Sequence, residues 1–233
     1  MQSLYEMFST DPEVKAHKYE HYFPVYERYL EPYRNRPVSM LEIGVDRGGS
    51  LKLWKNYLGP HAKIHGIDIK PECASYAEQN VEVYIGSQAD RSFLDEILKK
   101  MPPLDIVLDD GSHRASHQVT SFETIYPRMK SDGVYIVEDL QTSYWPRFGR
   151  RFFHRGRFYR NGFVDFARAK VHALNSFHHD EKSFGLFGIP RDERSIEAAA
   201  DPFARLTRSI SFYDSMVVFE RAETPEPLRI RKE

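Results

Sequence analysis

The stretch Val38-Ser-Met-Leu-Glu-Ile-Gly-Val-Asp-Arg-Gly-Gly-Ser50 joins a short apolar run to an acidic residue, then to a glycine-rich turn that opens a helical stretch, Ser50–Tyr57. A strand that turns through glycine into a helix is the start of a βαβ unit. Outward from it the pattern repeats. Further strands are predicted at Ala62–Asp68, Val81–Ile85, Asp105–Asp109 and Gly133–Glu138, with helices at Pro71–Gln79, Arg91–Lys100 and Ser116–Met129 between them. Strands separated by helices need crossover connections, so the expected fold is a doubly wound α/β sheet, parallel through these five strands.

Around this frame, Tyr19–Tyr33 reads as an amphipathic helix, with Tyr22, Tyr26 and Tyr29 at helical spacing and Pro24 tolerable in its first turn. Residues 141–161 form an aromatic and arginine-rich insert, followed by a helix near Val164–Phe177 and a polar stretch through Asp201. Ser209–Arg221, with its turn at Tyr213-Asp-Ser215, predicts an antiparallel hairpin at the sheet edge. We expect one domain over 1–233, with an N-terminal helical segment 1–37 and a lid at about 141–161.

Composition bounds the function. The 233 residues are 41% apolar and 29% charged, as in an ordinary globular domain, and the net charge of -1 argues against a general nucleic-acid binder. No apolar stretch is long enough to span a bilayer, and the first twenty residues carry charges where a signal peptide needs an apolar core, so a cytoplasmic protein is expected. Cys73 is the single cysteine, which leaves oxygen or histidine ligands for any bound metal. It reads as a packing residue.

Polar clusters fall at successive strand ends, where ligands bind in such sheets. Gly44, Gly48 and Gly49 let backbone approach a ligand but lack the dinucleotide spacing G-x-G-x-x-G. Glu42 would repel a pyrophosphate and suits an ammonium. Asp68, ending Gly66-Ile-Asp68, can accept both hydroxyls of a ribose. Gln88 and Asp90 stand where an adenine could be bracketed, although Asp90 could equally cap the next helix.

Over residues 38–140 this combination resembles the class I S-adenosylmethionine methyltransferases. The resemblance implies a Rossmann-like seven-stranded sheet whose last strand is antiparallel, with Glu42, Gly44, Ser50, Asp68 and Gln88 as cofactor contacts.

Two acidic pairs follow, Leu108-Asp-Asp-Gly-Ser-His113 and Ile136-Val-Glu-Asp139, at the ends of adjacent predicted strands. Several carboxylates on one rim repel one another unless a cation neutralises them, and hard oxygen donors suit Mg²⁺ or another divalent ion. His113 is placed to act as a general base beside it. With Tyr144-Trp-Pro146, these residues resemble a narrower group, the macrolide and rhamnosyl sugar O-methyltransferases and their cephalosporin-biosynthesis relatives. That resemblance implies that Asp110, Glu138 and Asp139 hold Mg²⁺, that His113 takes the proton and that Asp109 faces the cofactor. It also implies a homo-oligomer.

The implied function is metal-dependent methyl transfer to a hydroxyl of a sugar-bearing or polyhydroxylated acceptor. In the insert, Tyr144 and Trp145 could stack on a sugar ring, and Arg147, Arg150, Arg151, Arg155, Arg157 and Arg160 could hold acidic or phosphorylated groups. Equally, the aromatics pack a lid and the arginines face solvent or another subunit. Alternatives are a catechol-type Mg²⁺-dependent O-methyltransferase, and a cofactor-binding regulatory or assembly protein without turnover. A hydroxylase would need a histidine-rich redox site, for which His178-His-Asp180 has suitable spacing; we read it as a solvated turn.

Overall fold

The computed structural model describes residues 2–145, 147–148, 152–154, 157–159, 162–178, 200–227 and 230, with backbone only for 152–154 and 157–159. Its centre is a seven-stranded sheet of β1 (Ser39–Ile43), β2 (Lys63–Asp68), β3 (Val81–Ile85), β4 (Ile106–Asp109), β5 (Val134–Val137), β8 (Thr207–Tyr213) and β9 (Met216–Arg221). The order is β3-β2-β1-β4-β5-β9-β8. β9 runs antiparallel to both β5 and β8, whereas the pairs from β3 to β5 are all parallel. The seven strands and the antiparallel last strand are as expected. The hairpin is not merely an edge appendage, however, because its second strand lies inside the sheet.

Alternation along β1 builds the two layers. Met40 faces a core with Tyr26, Leu51, Trp54 and Leu58, supplied by α2 (Phe23–Leu30) and α3 (Gly49–Leu58). Leu41 and Ile43 face the opposite core, with α4 (Arg91–Leu98), α5 (Ala115–Ile125) and α6 (Phe163–Leu174) contributing Leu94, Phe122 and Phe166. Each such fully buried side chain contributes roughly 1.5–3 kcal/mol. Glu42 falls on the α2–α3 side and is carried into the core by its register.

Several helices differ from expectation where proline intervenes. The single helix expected over 19–33 is a 3-10 turn (Glu20–Tyr22), α2, and a second 3-10 turn (Glu31–Tyr33), with Pro24 in the first turn of α2 and Pro32 in the last piece. A proline has no N–H to continue an α-helical ladder. The segment expected as a helix at 71–79 is a 3-10 helix, Pro71–Tyr76, and Glu78 then bridges Val81 across a tight turn with Asn80 at φ 67°.

Two units had no predicted counterpart, α7 (Pro202–Leu206) and a small hairpin of β6 (Phe152–His154) and β7 (Arg157–Tyr159) within the insert, while α1 (Leu4–Thr10) lies in the segment 1–37 expected to be helical, where no separate helix is predicted. α1 begins with a capping box: the Ser3 hydroxyl accepts from Glu6 N, and the Glu6 carboxylate accepts from Ser3 N. Among the described residues no helix is long and apolar enough to cross a membrane.

Candidate active site

Strand order reverses between β1 and β4, and a cavity of about 700 Å³ opens at their carboxyl ends. Gly44, Ser50, Asp68, Gln88, Asp110, His113 and Asp139 all contribute to its wall. Gly44 has φ 99°, and a Cβ there would stand 2.2 Å from the Asp110 carbonyl oxygen. This close approach joins the glycine-rich turn to the acidic loop, and only glycine permits it.

Asp68 is held by the turn. Its Oδ2 accepts from Val45 N (2.9 Å) and Asp46 N (3.0 Å), and its Oδ1 from Lys70 N (2.9 Å). Burial alone would raise this carboxyl, but the three N–H donors hold it below the ordinary aspartate value. Asp90 takes the simpler of its two readings, as the N-cap of α4 accepting from Ser92 N and Phe93 N.

Glu42 and Asp109 lie behind the cavity wall, both fully buried. Glu42 accepts from the Ser50 hydroxyl (2.7 Å) and the Trp54 indole N–H (3.0 Å), and burial pushes its carboxyl up to about 7. Asp109 was expected to face the cofactor. Instead it accepts from Ser121 Oγ (2.7 Å) and Gln88 Nε2 (3.0 Å), and burial raises its carboxyl. Gln88 turns its other end to Ser112 N (2.7 Å), so Asp109 and Gln88 brace the loop that presents Asp110 and His113.

On the rim, Asp110, His113 and Asp139 each offer one ligand atom, and these atoms lie within 4.8 Å of one another. His113 Nε2 is 3.7 Å from Asp139 Oδ2, and His113 Nδ1 is buried with no hydrogen-bond partner among the described residues. His113 and Asp139 both adopt left-handed backbone, at φ 54° and 57°. Such conformations are uncommon outside glycine and here aim both side chains at one point. Tyr22 donates to Asp139 Oδ1 (2.9 Å). Two carboxylates, an orphaned imidazole nitrogen and partial exposure fit a divalent cation.

Glu138, expected as a ligand, is not in that cluster. Glu138 accepts from Lys18 Nζ and the Tyr26 hydroxyl and lies beside the Asp110 carboxylate. Lys18 also donates to Asp110 Oδ2 at 2.6 Å. Burial works against its charge, yet Asp110, Glu138 and Glu42 together hold the ammonium above the ordinary lysine value. Nothing in the local sequence around Lys18 signals this role. Ser112 and His117, paired through Oγ and Nδ1 at 2.9 Å on the same wall, were also missed.

Beyond Asp139, Tyr144 and Trp145 are exposed, and Arg147 lies over the Phe148 ring. Arg150, Arg151, Arg155, Arg160, His179 and Asp180 lie outside the described residues; Arg157 belongs to β7.

The sheet is thus parallel and closed by an antiparallel last strand, with a glycine turn, an aspartate held by backbone N–H groups and an acid–histidine loop at its switch point. Residues 41–140 accordingly match the family described as "Methyltransferase domain". The chain is 42% identical over 137 residues to mycinamicin VI 2''-O-methyltransferase of Micromonospora griseorubida, covering 55% of this chain and 34% of that protein. It is 41% identical over 134 residues to 8-demethyl-8-alpha-L-rhamnosyl tetracenomycin-C 2'-O-methyltransferase of Streptomyces olivaceus, covering 54% and 35%. The solved structure of the mycinamycin-pathway methyltransferase MycE, in complex with Mg, SAH and mycinamycin VI, superposes with a TM-score of 0.76 at 27% identity, over 95% of this chain and 54% of that one. The chain thus spans about a third of the curated relatives' length and about half of the solved one.

Proposed function

We propose that this protein transfers a methyl group from S-adenosylmethionine to a hydroxyl of a sugar-bearing acceptor, with a divalent cation at Asp110 and Asp139. The observation that carries this reading is that Asp110, His113 and Asp139 line the same cavity as Gly44, Ser50 and Asp68. Relatives that act on glycosylated natural products support the acceptor class.

S-adenosylmethionine would supply the methyl group, and a divalent cation the positive charge that makes a nearby hydroxyl more acidic. The chain does the rest. Gly44 and the Asp68 turn admit and orient the nucleoside; the Gln88–Asp109 brace fixes the 110–113 loop. His113 accepts the acceptor's proton, and Asp139, itself held by Tyr22, lies 3.7 Å from its Nε2. Tyr144 and Trp145 offer exposed ring faces for a sugar.

Replacing His113 by Ala should lower turnover by about 10²–10⁴-fold and leave S-adenosylhomocysteine binding intact. Calorimetric titration of the same variant separates the two effects. Normal turnover would remove His113 from the chemistry, and lost cofactor binding would make its role structural.

A further inference from the structure

The N-terminal segment reaches the acidic rim through Lys18, Tyr22 and Tyr26, one residue in every four. Lys18 donates to Asp110 and Glu138, Tyr22 to Asp139, and Tyr26 to Glu138. Residues 15–18 form a strap along the cavity wall, and the Lys15 backbone lies so close to Gly49 that a Cβ there would come within 2.3 Å of it. Beyond the strap the chain enters the core. Tyr22 is buried, and its ring meets Tyr26 edge-on; Tyr26 in turn packs against Trp54 of α3. The Tyr22 hydroxyl is therefore held from behind by ring packing rather than by a mobile side chain.

Two hydrogen bonds join that hydroxyl to Asp139. It donates to Oδ1 (2.9 Å) and accepts from the Asp139 backbone N–H (3.3 Å). Asp139 stands at φ 57°, a conformation that a residue other than glycine keeps only where its surroundings impose it. Holding the N–H and the carboxylate of one residue at a single point fixes its backbone and its side chain together. Gln141 Nε2 also donates to Oδ1 (3.3 Å), which leaves Oδ2 on the side of His113, whose Nε2 is 3.7 Å away.

We infer that Tyr22 is a positioning residue for the cation site: its hydroxyl clamps Asp139 in the left-handed conformation and presents Oδ2 to the metal before the metal arrives. This rests on the cation reading above. A ligand that is already ordered loses less freedom on binding, so the hydroxyl raises metal affinity without touching the metal. Phenylalanine in its place would keep the ring packing and lose both bonds.

The test is Mn²⁺ titration followed by electron paramagnetic resonance, without cofactor or acceptor, on the wild type, Tyr22→Phe, Asp139→Asn and the double variant. Asparagine is chosen at 139 because it tolerates left-handed backbone. Tyr22→Phe should bind Mn²⁺ about tenfold or more weakly than the wild type, with metal-free S-adenosylhomocysteine binding unchanged. In the Asp139→Asn background the same substitution should cost less than about threefold, because the hydroxyl acts through the aspartate. The proposal is overturned by a loss smaller than about tenfold in Tyr22→Phe, by a loss of about threefold or more in the Asp139→Asn background, or by a parallel loss of S-adenosylhomocysteine affinity. In each of those cases, wild-type Mn²⁺ binding that disappears in Asp110→Ala keeps the cation reading standing. Absence of Mn²⁺ binding in a folded, S-adenosylhomocysteine-binding wild type overturns both. If Asp139→Asn binds too weakly to titrate, the Asp139 amide decides: faster hydrogen exchange in metal-free Tyr22→Phe than in the wild type supports the clamp, and unchanged exchange overturns it.

Discussion

Glu42 shows how one buried carboxylate makes stability depend on pH. Its folded pKa of about 7 lies above the ordinary glutamate value of 4.5, so between these the folded state binds the extra proton. Stability is therefore fullest below pH 4.5, falls as pH rises toward 7, and has lost the whole contribution above that; the loss is up to about 3 kcal/mol. Glu42→Gln keeps partners for Ser50 and Trp54 and removes the titration. Urea unfolding at pH 5 and pH 8 should show a flatter pH profile in Glu42→Gln, with higher stability than the wild type at pH 8. Equal slopes would mean that another group carries the dependence. At this scale the sequence was partly legible. Asp110, His113 and Asp139 could be found because the chemistry sits in two short motifs at strand ends. Lys18, by contrast, meets Asp110 and Glu138 across 92 and 120 positions. No local pattern encodes either contact.

At the scale of elements, the strap and α3 are packed through Gly49. Its φ is not left-handed, so alanine there is tolerated by its own backbone and improves helix propensity. The added Cβ would instead push the Lys15 backbone away. In Gly49→Ala we expect faster amide hydrogen exchange over residues 14–18, with α3 itself protected as before, and weaker S-adenosylhomocysteine binding from the displaced wall. Exchange confined to α3 would contradict this account. The five parallel strands were readable because each is a short apolar run closed by turn residues. The start of α1 has a visible local signal, Ser3 followed three residues later by Glu6. The 3-10 segments were harder to read: apolar spacing continues through Pro24 and Pro32 although the α-helical hydrogen bonding does not.

Across the molecule, the proposed cofactor and metal subsites share a wall, because Gly44 packs on the Asp110 carbonyl while the Asp110 side chain faces the rim. Saturating S-adenosylhomocysteine at 100 times its dissociation constant should stabilise the protein by about 2.7 kcal/mol, read as a rise in melting temperature. The rise with cofactor and Mg²⁺ together should exceed the sum of the separate rises, and the excess should vanish in Asp110→Ala. Strict additivity in the wild type would mean that the two subsites are independent. The sheet's overall plan was legible because alternation of strand and helix leaves few topologies. The place of β9 between β5 and β8 has a consequence for synthesis. The edge of Val134–Val137 waits, unpaired and apolar, while the insert, α6 and α7 are made, and the hairpin must then dock as a unit. A ribosome that stalls before residue 216 leaves that edge open to another nascent chain, and chaperone engagement should concentrate in that interval of translation.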